Sequence, residues 1–238
     1  MKLMVIGASK GLGKAFVEGL CSDGDMVIGV SRSQPQDLRL PESILLDWIE
    51  ADLEKPLQAI QILKKYTPNE LDVLIYNLGI WEKTAFSEEY SFLDDEDKSL
   101  IDMVNVNITS AILVLKHLIP RLLKSSQPRL ILTGSTSGLR QSGRPEVTFG
   151  ASKFALSGIA DALRESFRSE GLGVTCLQLG YLNTEDSLQV PVAEAAQRGN
   201  GELIPLHDVI NLVKAIINMS KASYVRELVL PAIQDERF

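Results

Sequence analysis

Short apolar runs alternate with helix-length segments along the whole chain, and no other feature restricts the fold as tightly. The runs are Leu3 to Ile6, Met26 to Val30, Ile44 to Ile49, Val73 to Tyr76, Leu130 to Thr133, Val174 to Leu179 and Glu227 to Leu230. Runs of this length, separated by stretches long enough for a crossover helix, predict the strands of a mostly parallel sheet. Right-handed crossovers then place helices on both faces, giving a doubly wound α/β fold of seven strands that binds ligands beyond its carboxyl edge. Ser99 to Lys124 and Phe149 to Glu170 predict the two longest helices, one after the fourth strand and one after the fifth. Glu185 to Glu202 is the only loop-like stretch after residue 150 long enough to act as a lid. With 238 residues and 45% apolar content, one domain spanning 1–238 accounts for the chain, without repeats or polar tracts.

Composition narrows the classes of partner. A net charge of −7 without a Lys/Arg cluster argues against nucleic acid, which requires a basic face. No uninterrupted apolar run is long enough for a membrane span, and Met1 to Gly7 reaches a glycine turn too early for a signal peptide. These features predict a cytoplasmic protein whose partner is a small molecule rather than a membrane. Cys21 and Cys176, the only cysteines, lack metal-ligand spacing and are expected to be buried thiols; no metal site is predicted.

The first strand runs directly into Gly7-Ala8-Ser9-Lys10-Gly11-Leu12-Gly13, followed by the helical Lys14 to Leu20. Strand, glycine turn and helix in this order let the backbone approach a pyrophosphate, whose charge meets free N–H groups and the positive end of the helix dipole. The second strand ends in Gly29-Val30-Ser31-Arg32, about 20 residues beyond the loop, where an NAD-binding chain carries an acid for the ribose 2′-hydroxyl. No acid is present. Arg32 can fork onto a 2′-phosphate, and Lys10 can add a second positive charge, so NADP(H) is the expected cofactor.

The spacing Gly7-x-x-x-Gly11-x-Gly13 resembles the cofactor loop of the short-chain dehydrogenase/reductase family, and further segments match in order along nearly the whole chain. Asp52-Leu53 resembles the family's adenine-contacting acid. Asn77-Leu78-Gly79 is similar to its Asn-Ala-Gly segment, with the bulkier Leu78 in the middle. Asn107 aligns with the helix asparagine that holds a water and supports the lysine, and Ser152-Lys153 fits the end of the Tyr-x-x-x-Lys motif. Leu179-Gly180-Tyr181-Leu182-Asn183-Thr184 resembles the Pro-Gly-x-x-x-Thr segment, which implies nicotinamide or phosphate contacts from Gly180, Leu182 and Thr184.

The resemblance also exposes a departure. In the family a tyrosine exchanges a proton with the substrate oxygen, and a lysine one helical turn on lowers its pKa while binding the nicotinamide ribose. Lys153 takes the lysine's place, but the position four residues earlier is Phe149, which has the ring and lacks the oxygen. A wider spacing leads only to Glu146. For the hydroxyl that polarises the carbonyl, the local pattern of Thr133 to Gly138 favours Ser135, and the usual separation from the tyrosine favours Thr136. Phe149 is compatible with a non-catalytic NADP(H)-binding protein, with an enzyme whose proton comes from water, Tyr181 or the substrate, or with an engineered exchange that traps a complex.

The resemblance thus implies an NADP(H)-dependent oxidoreductase for a small carbonyl or alcohol, with Ser135, Lys153 and Asn107 in the reaction centre. A regulatory or scaffold protein that keeps only the cofactor site is the alternative. Trp81, Phe86 and Tyr181 are candidates for lining a pocket at the sheet's carboxyl end. The two long helices resemble those that pair across subunits in this family, which implies a homodimer or homotetramer, although Ile112, Leu115, Leu156 and Ile159 can instead serve the core.

Overall fold

Strands buried on both faces need apolar side chains at every position, and three buried segments meet that requirement: Leu3 to Ile6, Val73 to Tyr76 and, apart from Thr175 and Gln178, Gly173 to Leu179. In the computed structural model, which describes residues 1–236, these are interior strands of a seven-stranded sheet. The elements are β1 (Lys2–Ile6), α1 (Gly11–Gly19), β2 (Met26–Ser31), β3 (Leu45–Glu50), α2 (Pro56–Tyr66) and β4 (Val73–Tyr76). There follow α3 (Asp97–Val104), α4 (Ser110–Leu122), β5 (Arg129–Thr133), α5 (Val147–Ser166), β6 (Gly173–Leu179) and β7 (Leu182–Asn183). The chain continues through α6 (Val192–Arg198), β8 (Ile204–Pro205), α7 (Leu206–Ile217) and β9 (Glu227–Leu230). The main sheet is ordered β3-β2-β1-β4-β5-β6-β9, with every neighbouring pair parallel.

The order reverses direction between β1 and β4, and the crevice at such a switch point is where doubly wound sheets bind ligands. Two apolar layers hold the sheet. On one face Ile6, Leu74 and Tyr76 pack with Ala111, Val114, Leu115 and Leu118 of α4 and Leu156 and Ala160 of α5. On the other, Val5 and Ile75 pack with Phe16 and Val17 of α1 and with Val209, Ile210 and Val213 of α7, whose buried residues recur at helical spacing.

All seven predicted strands are present, within a residue or so of the expected limits. Three differences have physical causes. The predicted Ser99 to Lys124 helix begins at Asp97 and is interrupted by a π turn at Asn105–Thr109, which shifts the register between α3 and α4. The predicted Phe149 to Glu170 helix runs from Val147 to Ser166, because Glu82 caps its start. The stretch Glu185 to Glu202 is not a simple loop: it contains α6 and is flanked by the paired strands β7 and β8. Arg198 bonds both Asp186 and Glu194, and Asn183 Nδ2 donates to Asp186 Oδ2 at 2.8 Å and to the Ala195 carbonyl at 3.1 Å.

The helical run Asp97–Leu122 is long and apolar enough to cross a membrane by length and composition alone, but Ala111, Val114, Leu115, Leu118 and Ile119 on it form core against the sheet. Cys176 is buried within β6, and Cys21 is half-buried just beyond α1; both thiols are free.

At the sheet's other margin Gly29 of β2 lies directly beside Trp48 of β3, and a Cβ on it would come within 2.1 Å of the indole. Gly29→Ala is therefore expected to push the indole outward and lower stability by about 1–3 kcal/mol. Urea unfolding followed by tryptophan fluorescence checks both effects, an earlier midpoint and a red-shifted folded-state spectrum.

Candidate active site

Helix α1 begins without a side-chain cap on its first N–H groups, since the Lys10 side chain makes no capping bond. A helix start left this way is a ready anion site. The loop before it is shaped by close approach: Gly7 and Gly11 have positive φ values of 81° and 51°, and a Cβ on Gly13 would lie 1.9 Å from the Gly7 carbonyl oxygen. Gly7 also abuts Asn77 at the end of β4, whose Nδ2 donates to the Gly7 carbonyl at 3.4 Å. Thr184 packs its methyl over Gly11, at 3.4 Å from where a Cβ would stand. The uncapped helix start and the cradle that only glycines permit fit a pyrophosphate.

From this loop a cavity of about 910 Å³ extends along the carboxyl edge of the sheet. Gly7, Ser9, Lys10, Gly11 and Leu12 line it at one point, with Ser31, Arg32, Asp52 and Leu53 toward the outer strands. Asn77, Leu78, Gly79, Ser135, Thr136, Phe149, Lys153, Gly180, Leu182 and Thr184 line the remainder. Of the residues singled out in the sequence, Gly13 and Asn107 lie behind this surface instead of on it.

Arg32 is 72% exposed and Nη1 donates to Glu54 Oε1 at 3.0 Å, so the guanidinium stands at the cavity mouth with an exposed carboxylate beside it. Lys10 is exposed at the same end. Asp52 Oδ1 accepts from the Glu54 N–H at 3.1 Å, and the Leu53 carbonyl accepts from Ser110 Oγ at 2.7 Å, tying this loop to the start of α4.

At the opposite end, Ser135 ends the extended run after β5 and caps a 3-10 turn, its Oγ accepting from the Ser137 N–H at 3.1 Å. The Ser135 N–H donates to Gln178 Oε1 at 3.1 Å, while Gln178 Nε2 reaches Ser157 Oγ and Glu227 Oε1. Ser135 is half-buried, and its neighbour Thr136 is buried within the turn. Lys153 Nζ donates to the Thr133 carbonyl at 3.0 Å and lies 5.5 Å from the centre of the Phe149 ring. A Cβ on Gly79 would come within 3.1 Å of Nζ, so the glycine leaves room for the ammonium. Burial lowers the Lys153 pKa to about 8, with a small opposing effect from Cys176.

Asn107 supports this end through its amide. Its Oδ1 accepts from the Ile80 N–H at 2.8 Å, and Nδ2 donates to the Ile80 carbonyl at 2.7 Å and to Ser152 Oγ at 3.0 Å. Both N–H groups are thus committed to protein partners, so the amide clamps the post-β4 loop to α5, and only a lone pair on Oδ1 remains for a water. The π turn sets it facing Ile80.

Three supporting residues gave no sequence signal because their partners are distant in the chain. Glu82, almost fully buried, accepts from the Thr148 and Phe149 N–H groups at 3.0 and 2.9 Å. Glu146, equally buried, accepts from the Phe86 N–H at 2.9 Å. Arg144 donates to the Tyr181 hydroxyl at 2.8 Å and pairs with Asp235, both side chains being inaccessible.

The lowered Lys153 pKa has a definite consequence for stability. Unfolded lysine titrates near 10.4, so between about pH 8 and that value the unfolded chain holds more protons and stability contributed by this group rises with pH. Below that window the buried ammonium costs on the order of 3 kcal/mol in the absence of nucleotide. Cys21 and Cys176, raised by burial to about 12 and about 11, act with the opposite sign, so the difference between proteins isolates the lysine. Lys153→Met is expected to exceed the parent in stability at pH 7 and to lose that advantage by pH 10.5, as checked by urea unfolding across pH.

Comparison with known proteins places this geometry. The family model for short chain dehydrogenases matches residues 2–193. The chain is 24% identical over 230 residues to the 3-oxoacyl-[acyl-carrier-protein] reductase FabG of Escherichia coli, covering 93% of this chain and 91% of that protein. It is 29% identical over 193 residues to an NADPH-dependent pterin aldehyde reductase of Arabidopsis thaliana, covering 77% and 75%. Hydroxysteroid dehydrogenase-like protein 1 of Gallus gallus is 29% identical over 181 residues, 73% of this chain but only 53% of that longer protein. Among solved structures, the Pseudomonas aeruginosa RhlG/NADP active-site complex superposes with a TM-score of 0.78 at 19% identity, over 98% of this chain and 95% of that one. With its sheet order, glycine cradle and lysine-bearing helix, and with a family match covering most of its length, this chain belongs to the short-chain dehydrogenase family.

Proposed function

We propose that the protein is an NADP(H)-dependent oxidoreductase acting on a small carbonyl or alcohol. The observation that carries this reading is the single continuous cavity, which joins the uncapped start of α1 and Arg32 at one end to Ser135 and Lys153 at the other. A bound nicotinamide would supply or accept the hydride. Gly7, Gly11 and the first N–H groups of α1 would hold the pyrophosphate, Arg32 and Lys10 the 2′-phosphate, and Lys153 the ribose hydroxyls. Ser135 is the group assigned to the substrate oxygen, since its Oγ accepts from Ser137 and keeps its own proton to donate. Phe149 offers no proton, so the candidates to supply it are water, the Tyr181 hydroxyl, which lines the cavity, the substrate itself and Lys153, whose pKa burial lowers to about 8.

The missing hydroxyl is also the observation behind a second reading, a regulatory NADP(H)-binding protein without turnover. An assay of NADPH oxidation against a panel of aldehydes and ketones separates the two. A homodimer or homotetramer belongs to the same proposal: Ile101, Val104 and Ile112 on α3 and α4 and Phe154 on α5 are exposed, while Leu115 and Leu156 face the core.

NADPH is expected to bind more tightly than NADH. Arg32→Ala should weaken NADPH by about 10-fold and leave NADH unchanged, because an exposed charge-assisted contact to the phosphate is lost. Calorimetric titration of both nucleotides checks this, and equal affinities would remove the NADP(H) assignment.

Phe149→Tyr restores the one absent oxygen beside a lysine able to lower its pKa. Carbonyl reduction with NADPH is expected to rise by about 10²- to 10⁴-fold, the usual contribution of a general acid or base. A variant that folds and binds NADPH yet gains nothing on any substrate reduced by the parent would show that the proton takes another route.

A further inference from the structure

The substrate end of the cavity is walled by aromatic rings packed edge to face. Phe86 stands at the centre, 5.1 Å from the Phe149 ring at 85° and 5.7 Å from the Tyr181 ring at 84°. Trp81 lies 6.0 Å from Phe86 and 6.4 Å from Phe149, the latter at 87°, and is itself 55% exposed. An indole left more than half uncovered beside three packed rings presents aromatic surface that the protein does not fill.

Phe86 is held there against its backbone preference. Its φ of 66° lies in the left-handed region, where a bulky side chain is strained and persists only if the surroundings over-determine it. The surroundings do so: its N–H is fixed by the buried Glu146 carboxylate, and the preceding turn is closed by the Ala85 N–H on the Glu82 carbonyl. Glycine would take this conformation freely, so what the strained residue adds is the ring.

This wall also carries a guanidinium whose charge is matched, while Lys153 stands 5.5 Å from its Phe149 ring and the carboxylates of Glu82 and Glu146 are buried behind it. Arg144, which lines it, pairs with Asp235 and stacks over Tyr181 with its guanidinium carbon 4.5 Å from the ring centre. Its charge is thereby matched within the protein and is not offered to a substrate carboxylate or phosphate. Phe149 fits the same pattern, a tyrosine-sized ring contributing apolar surface without a hydroxyl.

We propose that this wall selects a neutral carbonyl compound bearing an aromatic ring, with Phe86 as the specificity-determining residue and Glu146 as the residue that positions it. The carbonyl part of this inference rests on the oxidoreductase reading; the ring part rests on the wall alone. Ring–ring contacts add to simple area burial, which makes an aromatic ketone bind about 3- to 10-fold more tightly than its saturated counterpart. Hydrophobicity by itself predicts the reverse order, since the saturated ring is the more apolar.

The test is calorimetric titration of the full chain, with and without saturating NADP⁺, using acetophenone and cyclohexyl methyl ketone. The expected result is preferential binding of acetophenone, lost in Phe86→Leu and reduced in Trp81→Leu, with NADPH affinity unchanged in both. Glu146→Gln, which keeps an acceptor for the Phe86 N–H, is expected to retain the preference. Equal affinities, tighter binding of the saturated ketone, binding of neither, or a preference that survives both leucine variants would overturn the proposal. Should Phe86→Leu fail to fold, the exposed Trp81 variant decides the matter. Steady-state assays keep the two readings apart. Aromatic preference in binding without reduction of any carbonyl would remove the oxidoreductase reading alone. Reduction of both ketones at equal KM would remove the aromatic selection alone.

Discussion

Backbone meets backbone between Gly7 and Gly13 and between Gly7 and Asn77, with the Asn77 amide closing the third side, and the placement of the glycine-loop end depends on this contact. A Cβ on Gly13 would overlap the Gly7 carbonyl, and one on Gly7 would come within 2.9 Å of the Asn77 carbonyl. The contact sits between the ends of β1 and β4, where the strand order reverses, so the turn enters α1 at the point where the sheet opens a crevice. Because α1 starts there without a side-chain cap, its dipole and N–H groups face the cavity instead of being spent inside the protein.

The other end is organised by buried polar groups, each joining segments far apart in the chain. Asn107 links α4's approach to Ile80 and Ser152, Gln178 links β6 to Ser135, Glu82 caps α5, and Glu146 fixes Phe86. Leaving any of these partners unpaired in an apolar interior would be costly, so each bond specifies one arrangement of the loops. The cavity lining is therefore set by Asn107, Gln178, Glu82 and Glu146, all of which lie outside it.

Phe149 shapes the surroundings of Lys153. Its ring lies 5.5 Å from Nζ, and Lys153 is left with the Thr133 carbonyl and an aromatic face for company. Burial without an anionic partner is what depresses the Lys153 pKa. The same ring forms part of an aromatic wall shared with Phe86, Trp81 and Tyr181.

The strands, their parallel order and the phosphate loop were legible in the sequence because they rest on local signals: apolar runs of strand length, glycines at fixed spacing, and the absence of an acid after β2. Nearly every residue taken from those signals lines one cavity. Periodicity could not reveal the π turn at Asn105–Thr109, since its effect is a one-residue shift within an unbroken helical pattern. Nor could it show that Glu185 to Glu202 holds a helix, which depends on Arg198 reaching Asp186 and on Asn183 reaching Ala195. The supporting roles of Glu82 and Glu146 leave no local signal, because a carboxylate's burial is decided by N–H groups more than 50 residues away in the chain. The sequence by itself determined the sheet, the glycine cradle and the phenylalanine four residues before Lys153; only the tertiary structure decided which side chains support them, because long-range hydrogen bonds and ring contacts leave no local pattern.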